Sequence, residues 1–286
     1  MSFQLEVRPR GPYSLALSAR FASDATRTFR EGVLTQALAI GGGIELARAR
    51  QTPDGTLTIQ AASAAAAERT RWLLALDDDH SGFLERIRSD ALLGRASFEL
   101  RGLRPVRVPT VAHALLRAFC GQLIEAKRAR RLEQTIVRTL CAEGPERLHA
   151  APTAPDLGAL APSQLRALGL HARRSAALVR ICRSLDLERL HDRPTSAVVE
   201  RLSRERGLGP WSLGVVCLQG LGRYDHGLVG DLGLIKLLRT MRGRPVEGWE
   251  TAELLEPYGE WAGLASVYLL AAHARGLLSF DAAAAA

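Results

Sequence analysis

The run Gly207-Leu208-Gly209-Pro210-Trp211-Ser212-Leu213-Gly214, with Val229-Gly230-Asp231-Leu232-Gly233-Leu234 downstream of it, constrains this chain more than any other feature. Two glycines one residue apart, between Leu202-Ser203-Arg204-Glu205-Arg206 and the apolar stretch from Trp211 to Leu221, describe a hairpin between two helices. Glycine admits positive φ and lets the backbone approach a ligand closely. Pro210 suits the first helical position, where a missing N–H costs nothing. The amides of Gly207, Gly209 and the first turn after Pro210, which holds Trp211 and Ser212, would then point outward at the positive end of a helix. Such an arrangement holds an anion without a side chain. Taken alone, the two glycines favour the plainer reading, a glycine-rich turn between helices.

The order of elements tips that reading. After the hairpin come an apolar helix, a short loop with Tyr224, Asp225 and His226, and then Asp231 opening a further helix. This order resembles the helix-hairpin-helix, glycine-proline-aspartate superfamily of DNA glycosylases. Gly102-Leu103-Arg104-Pro105-Val106-Arg107-Val108-Pro109-Thr110, Ala118-Phe119-Cys120-Gly121-Gln122-Leu123-Ile124 and Leu165-Arg166-Ala167-Leu168-Gly169-Leu170 are similar to its 3-methyladenine DNA glycosylase II (AlkA-like) branch. The resemblance spans about Gly102 to Leu278.

Asp231 carries the chemistry in this reading. Breaking an N-glycosidic bond builds positive charge on the sugar, which a fixed carboxylate stabilises while it orients or deprotonates the attacking water. One carboxylate suffices where the leaving base is an alkylated, cationic purine that departs neutral. The plainer role for an Asp before an apolar helix is an N-cap. In relatives that also cut the backbone, the hairpin resembles Gly-x-Gly-x-Lys and the amine forms a Schiff base. Trp211 stands at that position, and the lysines of the chain, Lys127 and Lys236, match it nowhere. The expectation is base removal without lyase activity.

Extruding a base from a duplex requires filling the hole. The resemblance implies that Leu123 is the wedge, with Gln122 beside the unpaired partner base; the alternative for Leu123 is a core position on an amphipathic helix. A flipped cationic base stacks on aromatic faces. Trp211, Tyr224, Tyr268 and Trp261 are the candidates, with Leu270 standing where well-known members of the branch carry a stacking tryptophan.

A net charge of +8, almost wholly from arginine, suits a polyanionic partner through counterion release. Arginine in place of lysine also fits a GC-rich genome. The run Lys127-Arg128-Ala129-Arg130-Arg131, after Gln122-Leu123 on one long helix, reads as a solvated face, with direct DNA contact as the alternative. Cys120, Cys141, Cys182 and Cys217 are too widely spaced for an iron–sulfur cluster and read as reduced thiols. Asp77-Asp78-Asp79 reads as a capping loop, and His191, His226 and His273 show no metal spacing. No metal and no cofactor are expected.

The fold expectation is α+β. Phe3–Val7, Ser14–Phe21, Gly32–Ile40, Ile44–Arg50 and Leu57–Ala61 read as strands of a small antiparallel sheet, turned at Gly41-Gly42-Gly43 and Pro53-Asp54-Gly55. Ala64–Leu76 reads as a helix. From Thr110 onward glycine and proline punctuation separates helices, giving an all-helical helix-hairpin-helix body with a central cleft. The division implied is 1–104 for an N-terminal α+β domain, 105–281 for a helical domain of two subdomains flanking the cleft, and 282–286 for a frayed tail. No apolar run reaches membrane-spanning length and no signal peptide is evident, so the expected setting is cytoplasmic, nucleoid-associated and bacterial.

The sequence thus reads as a monofunctional glycosylase that excises 3-methyladenine- or 7-methylguanine-type bases from damaged double-stranded DNA, as a monomer and away from membranes. Alternatives are a glycosylase for oxidised or deaminated bases and a non-catalytic DNA-damage binder.

Overall fold

A computed structural model describes residues 3–278; the expected tail at 282–286 lies outside them. The chain begins with β1 (Phe3–Val7), α1 (Leu15–Ala19), β2 (Arg27–Arg30), β3 (Val33–Ile40), β4 (Gly43–Gln51), β5 (Leu57–Ala61) and α2 (Ala64–Leu73). The strands form one antiparallel sheet in the order β1-β5-β4-β3-β2. Gly41 and Gly42 both take positive φ where β3 turns into β4, pairing Ile40 with Gly43. A tight hairpin demands that backbone. Buried Ala47 and Ala49 on β4 and Ala66 and Ala67 on α2 belong to one apolar cluster with Leu34, Leu57 and Ile59. Small side chains on both surfaces let the helix settle closely on the sheet.

One expected strand is a helix. Ser14 caps α1 by accepting from the Leu17 amide, and Leu15 and Ala19, four apart on one helical face, are buried. A strand that the sequence reading passed over, β2, is short and starts at the fully buried Arg27, whose guanidinium donates to Asp24 at 3.1 Å and to the Arg107 carbonyl at 2.5 Å.

The rest is helical: α3 (Ser81–Arg86), α4 (Gly94–Glu99), α5 (Val111–Gly121), α6 (Ala126–Leu140), α7 (Ala154–Ala159), α8 (Pro162–Ala167), α9 (Ala172–Ser184), α10 (Thr195–Ser203), α11 (Pro210–Val215), α12 (Leu232–Arg242), α13 (Thr251–Leu255) and α14 (Ala262–Ala274). No helix of the described residues is long and apolar enough to cross a membrane. Two apolar cores divide these helices. One gathers Leu115, Leu116 and Phe119 of α5 with Leu178 of α9 and Leu213 of α11. The other gathers Leu234 and Leu237 of α12, Leu264 and Tyr268 of α14, Ala118 of α5 and Val215 of α11. Helices α5 and α11 therefore form the seam between the cores, and α11 runs on through a π-helical turn, Val216–Leu221, that ends at the left-handed Gly222.

Ionic contacts fasten the sheet to the helices. Arg117 of α5 donates to Asp24 at 2.7 Å and to Glu133 of α6 at 2.8 Å, and Glu133 also meets His113 at 2.8 Å. Burial works against the Asp24 carboxylate, but the Arg27 and Arg117 guanidinium groups outweigh it and hold its pKa well below the usual range. The aspartate run is structural as expected: Asp77 pairs with Arg71, Asp79 accepts from the Ser81 amide, and Asp78 engages Arg107 and the Tyr224 hydroxyl.

Candidate active site

The expected hairpin joins α10 to α11. Gly207 has φ +98, a conformation L side chains rarely adopt, whereas Gly209 has φ −92 and a side chain there would meet only open space. The first glycine is thus required by the fold, and the second leaves room on the outer surface. Among the described residues the amides of Gly207, Gly209, Trp211 and Ser212 have no protein acceptor. First-turn amides are left without an intrahelical partner by helix geometry. Together they leave a set of backbone donors unpaired at the hairpin, those of Gly207 and Gly209 on exposed residues.

Asp231 caps α12 from an extended backbone. Its Oδ1 accepts from the Gly233 amide at 2.7 Å and the Leu234 amide at 3.3 Å. Its Oδ2 accepts from Trp211 Nε1 at 2.9 Å. The carboxylate is partly exposed, and all three donors are neutral. The turn leading to it depends on Gly230, at φ +85, whose amide donates to Thr251 Oγ1 at 2.7 Å.

Trp211 therefore faces the carboxylate with its N–H, rather than serving only as a stacking face. It fits because Gly121, at the end of α5, has no side chain: a Cβ there would sit 2.5 Å from the indole Cη2. Immediately afterwards the chain leaves the helix. The single long helix expected through Gln122, Leu123 and Arg131 is two helices, α5 and α6, separated by a turn in which Leu123 takes φ +55. That backbone is strained for a leucine, and it leaves the side chain 85% exposed. Leu123 is no core residue, which removes the alternative considered from sequence.

Other expected site residues fall differently. Gln122 does not project freely: its amide donates to the Gly207 carbonyl at 2.6 Å and to Ser212 Oγ at 3.0 Å, so it braces the turn against the hairpin. Ser212 is buried, and its hydroxyl accepts from the Gln122 amide. Tyr268 is a correction. It is fully buried, packs on Phe83, and its hydroxyl donates to the Leu100 carbonyl at 3.0 Å. Leu270 lies two residues further along α14 and so faces the other way; it packs against Gly233 in the first turn of α12, next to Asp231. Tyr224 is committed to Asp78 and Arg107 through its hydroxyl and stacks on Trp261 at 6.3 Å between ring centroids.

Two exposed apolar residues, one next to Asp231 in the chain and one on the segment packed against Gly230, are not signalled by the sequence. Leu232 is 45% exposed and Trp249 is 65% exposed. Trp249 follows Gly248, where a Cβ would lie 3.5 Å from Gly230 Cα. No local motif announces Trp249, because only the tertiary packing of the 248–251 segment against Gly230 brings it there. Ligand-type atoms of Asp24, His113 and Glu133 lie within 4.8 Å of one another, but Arg117 bonds to both carboxylates and fills the role a cation would have.

No family model matches the sequence. The chain is 27% identical over 205 residues to the DNA-3-methyladenine glycosylase of Bacillus subtilis (strain 168), a match covering 68% of this chain and 67% of that protein. Its fold is that of the 3-methyladenine DNA-glycosylase from Archaeoglobus fulgidus, with a TM-score of 0.83 at 18% identity over 95% of this chain and 98% of the other. It also resembles the Clostridium acetobutylicum 8-oxoguanine glycosylase/lyase, with a TM-score of 0.77 at 15% identity over 96% and 98% of the two chains. The sequence match and the shared α+β architecture bear out the resemblance read from the hairpin and its aspartate: the chain is similar in sequence to a 3-methyladenine DNA glycosylase and shares the fold of the solved 3-methyladenine glycosylase.

Proposed function

We propose that this chain is a monofunctional DNA glycosylase that excises alkylated, cationic bases from duplex DNA. The observation that carries the reading is the Asp231 carboxylate, partly exposed and held by three neutral donors. Neutral donors fix its position without cancelling its charge, so it can face the positive sugar that develops as the base departs. The side chain at the Schiff-base position is the indole of Trp211, which has no nucleophilic nitrogen, and Lys127 and Lys236 are both exposed elsewhere. A base that leaves unaided needs no partnered general acid beside this carboxylate. The hairpin amides take a phosphate of the DNA backbone, and Leu123 enters the duplex where the base has left.

The test incubates wild type and Asp231→Asn with methylated duplex DNA and measures free 3-methyladenine, free 7-methylguanine and strand breaks before and after alkali. Release that collapses in the variant, with breaks only after alkali and no borohydride-trapped complex, is the expected result. One observation favours a second reading, an oxidised or deaminated base: Leu270 offers no π face beside Asp231, and Tyr268 is sealed in the core. A panel of lesion duplexes separates the two.

A further inference from the structure

Trp211 touches the two parts of the site that act on opposite ends of the reaction. Its Nε1 donates to Asp231 Oδ2 at 2.9 Å. The far, benzo edge of the same rigid ring lies against Gly121, so closely that a methyl group there would fall 2.5 Å from Cη2 and 3.4 Å from Cζ2 and Cζ3. Gly121 ends α5 and is followed at once by Gln122 and the exposed Leu123. Gln122 in turn bonds to the hairpin at Gly207 and Ser212. The indole thus spans from the wedge turn to the carboxylate, with Gly121 supplying the room at one end.

We infer that Trp211 is a positioning residue: a strut, seated on Gly121, that fixes the orientation of the Asp231 carboxylate and ties it to the placement of the Leu123 turn. The inference rests on the proposed role of Asp231 and goes beyond it. Asp231 has one oxygen set by its own helix through the Gly233 and Leu234 amides, which leaves rotation of the other oxygen to an outside donor. Trp211 supplies that donor. Close packing means that a displacement of Gly121 cannot be absorbed by empty space and is passed to the ring.

The first readout needs no lesion. The indole N–H resonance of Trp211, assigned by its loss in Trp211→Phe, is followed by NMR in the full-length protein. The expected result is slow exchange in wild type, and a changed shift with faster exchange in Asp231→Ala and in Gly121→Ala. A resonance indifferent to both substitutions overturns the inference.

The second readout is the rate of base release with enzyme in excess, set beside the Kd for the same duplex. Trp211→Phe is expected to slow release about 10- to 100-fold, the value of one hydrogen bond to a charged group, with Kd within about twofold, since the hairpin backbone is untouched. A variant carrying benzothienylalanine at 211, which keeps the bicyclic shape and replaces N–H by sulfur, is expected to match Trp211→Phe. Its retention of the wild-type rate overturns the hydrogen-bonding role. Gly121→Ala is expected to slow release as well. The Gly121→Ala/Trp211→Phe pair should be no slower than Trp211→Phe alone, because the smaller ring leaves room for the methyl; fully additive losses overturn the strut. If wild type releases none of the bases offered, the proposed function falls, and the N–H resonance alone decides whether Trp211 positions Asp231.

Discussion

Two sets of carboxylates in this molecule are held by hydrogen bonds of ordinary length, yet they do opposite work. Asp24 and Glu133 are sealed in the core and share the Arg117 guanidinium, with Arg27 and His113 completing the cluster. Asp231 is partly exposed and receives only two backbone amides and an indole N–H. A guanidinium cancels the charge it binds, which makes a buried carboxylate tolerable and fastens one layer to another. Neutral donors leave the charge in place. The difference shows how one fold can use carboxylates to join a sheet to helices and still hold another through neutral donors alone.

The largest expected effect lies on the sealed side. Arg117→Met leaves two buried carboxylates without their shared partner, and urea unfolding should show a loss of about 3–5 kcal/mol. The same cluster sets an acid limit. The folded-state pKa values of Asp24 and Glu133 are depressed, so their contribution is fully present above the unfolded carboxylate values and is lost as pH falls through the folded ones. Stability of the wild type should therefore decline below about pH 4, with the slope reduced in Arg117→Met. Equal slopes in the two proteins would place the acid limit elsewhere.

On the open side the balance between stability and chemistry reverses. Asp231→Asn should slow base release roughly 10²–10³-fold, in line with the loss of one preorganised electrostatic contact. Its unfolding midpoint should barely move, because asparagine caps a helix as well as aspartate does. The hairpin glycines sharpen the contrast at smaller scale. Gly207→Ala forces a side chain into a left-handed backbone and should cost about 1–3 kcal/mol of stability. Gly209→Ala meets open space, so the fold should be indifferent while duplex affinity, measured by salt-dependent titration, weakens roughly tenfold for one lost charge-assisted contact. Smallest of all in stability terms is Leu123→Ala, expected within about 0.5 kcal/mol of wild type for an exposed site. Its defect should appear as slower release from a paired lesion than from a mismatched one.

Much of this was readable from residue order. The β3 and β4 strands follow from apolar patterning around Gly41-Gly42-Gly43, and the hairpin and the Asp231 cap follow from glycine, proline and aspartate placed at helix ends. What differs is of two physical kinds, helix periodicity and long-range packing. The apolar alternation around Leu15 suggested a strand, but the segment is a capped helix because Leu15 and Ala19 share its buried face. The sequence reads Gln122 and Leu123 as mid-helix, although Gly121 signals that α5 ends there. Tyr268 and Leu270 were assigned to one pocket, though residues two apart on a helix point in opposed directions. The bond from Trp211 to Asp231 and the exposure of Trp249 depend on how distant segments pack, and no local pattern encodes either.

Trp249 gives the molecule an optical property. Trp72 packs against two arginines, Trp261 against Tyr224 and Phe83, and Trp211 against Gly121 and Asp231, so these three indoles are held in crowded, partly buried surroundings. Trp249 alone among the four tryptophans is largely in solvent, at the edge of the segment that leads into Asp231. Its emission is expected to be red-shifted relative to the other three, and a duplex that covers that edge should quench or blue-shift it without any label being attached.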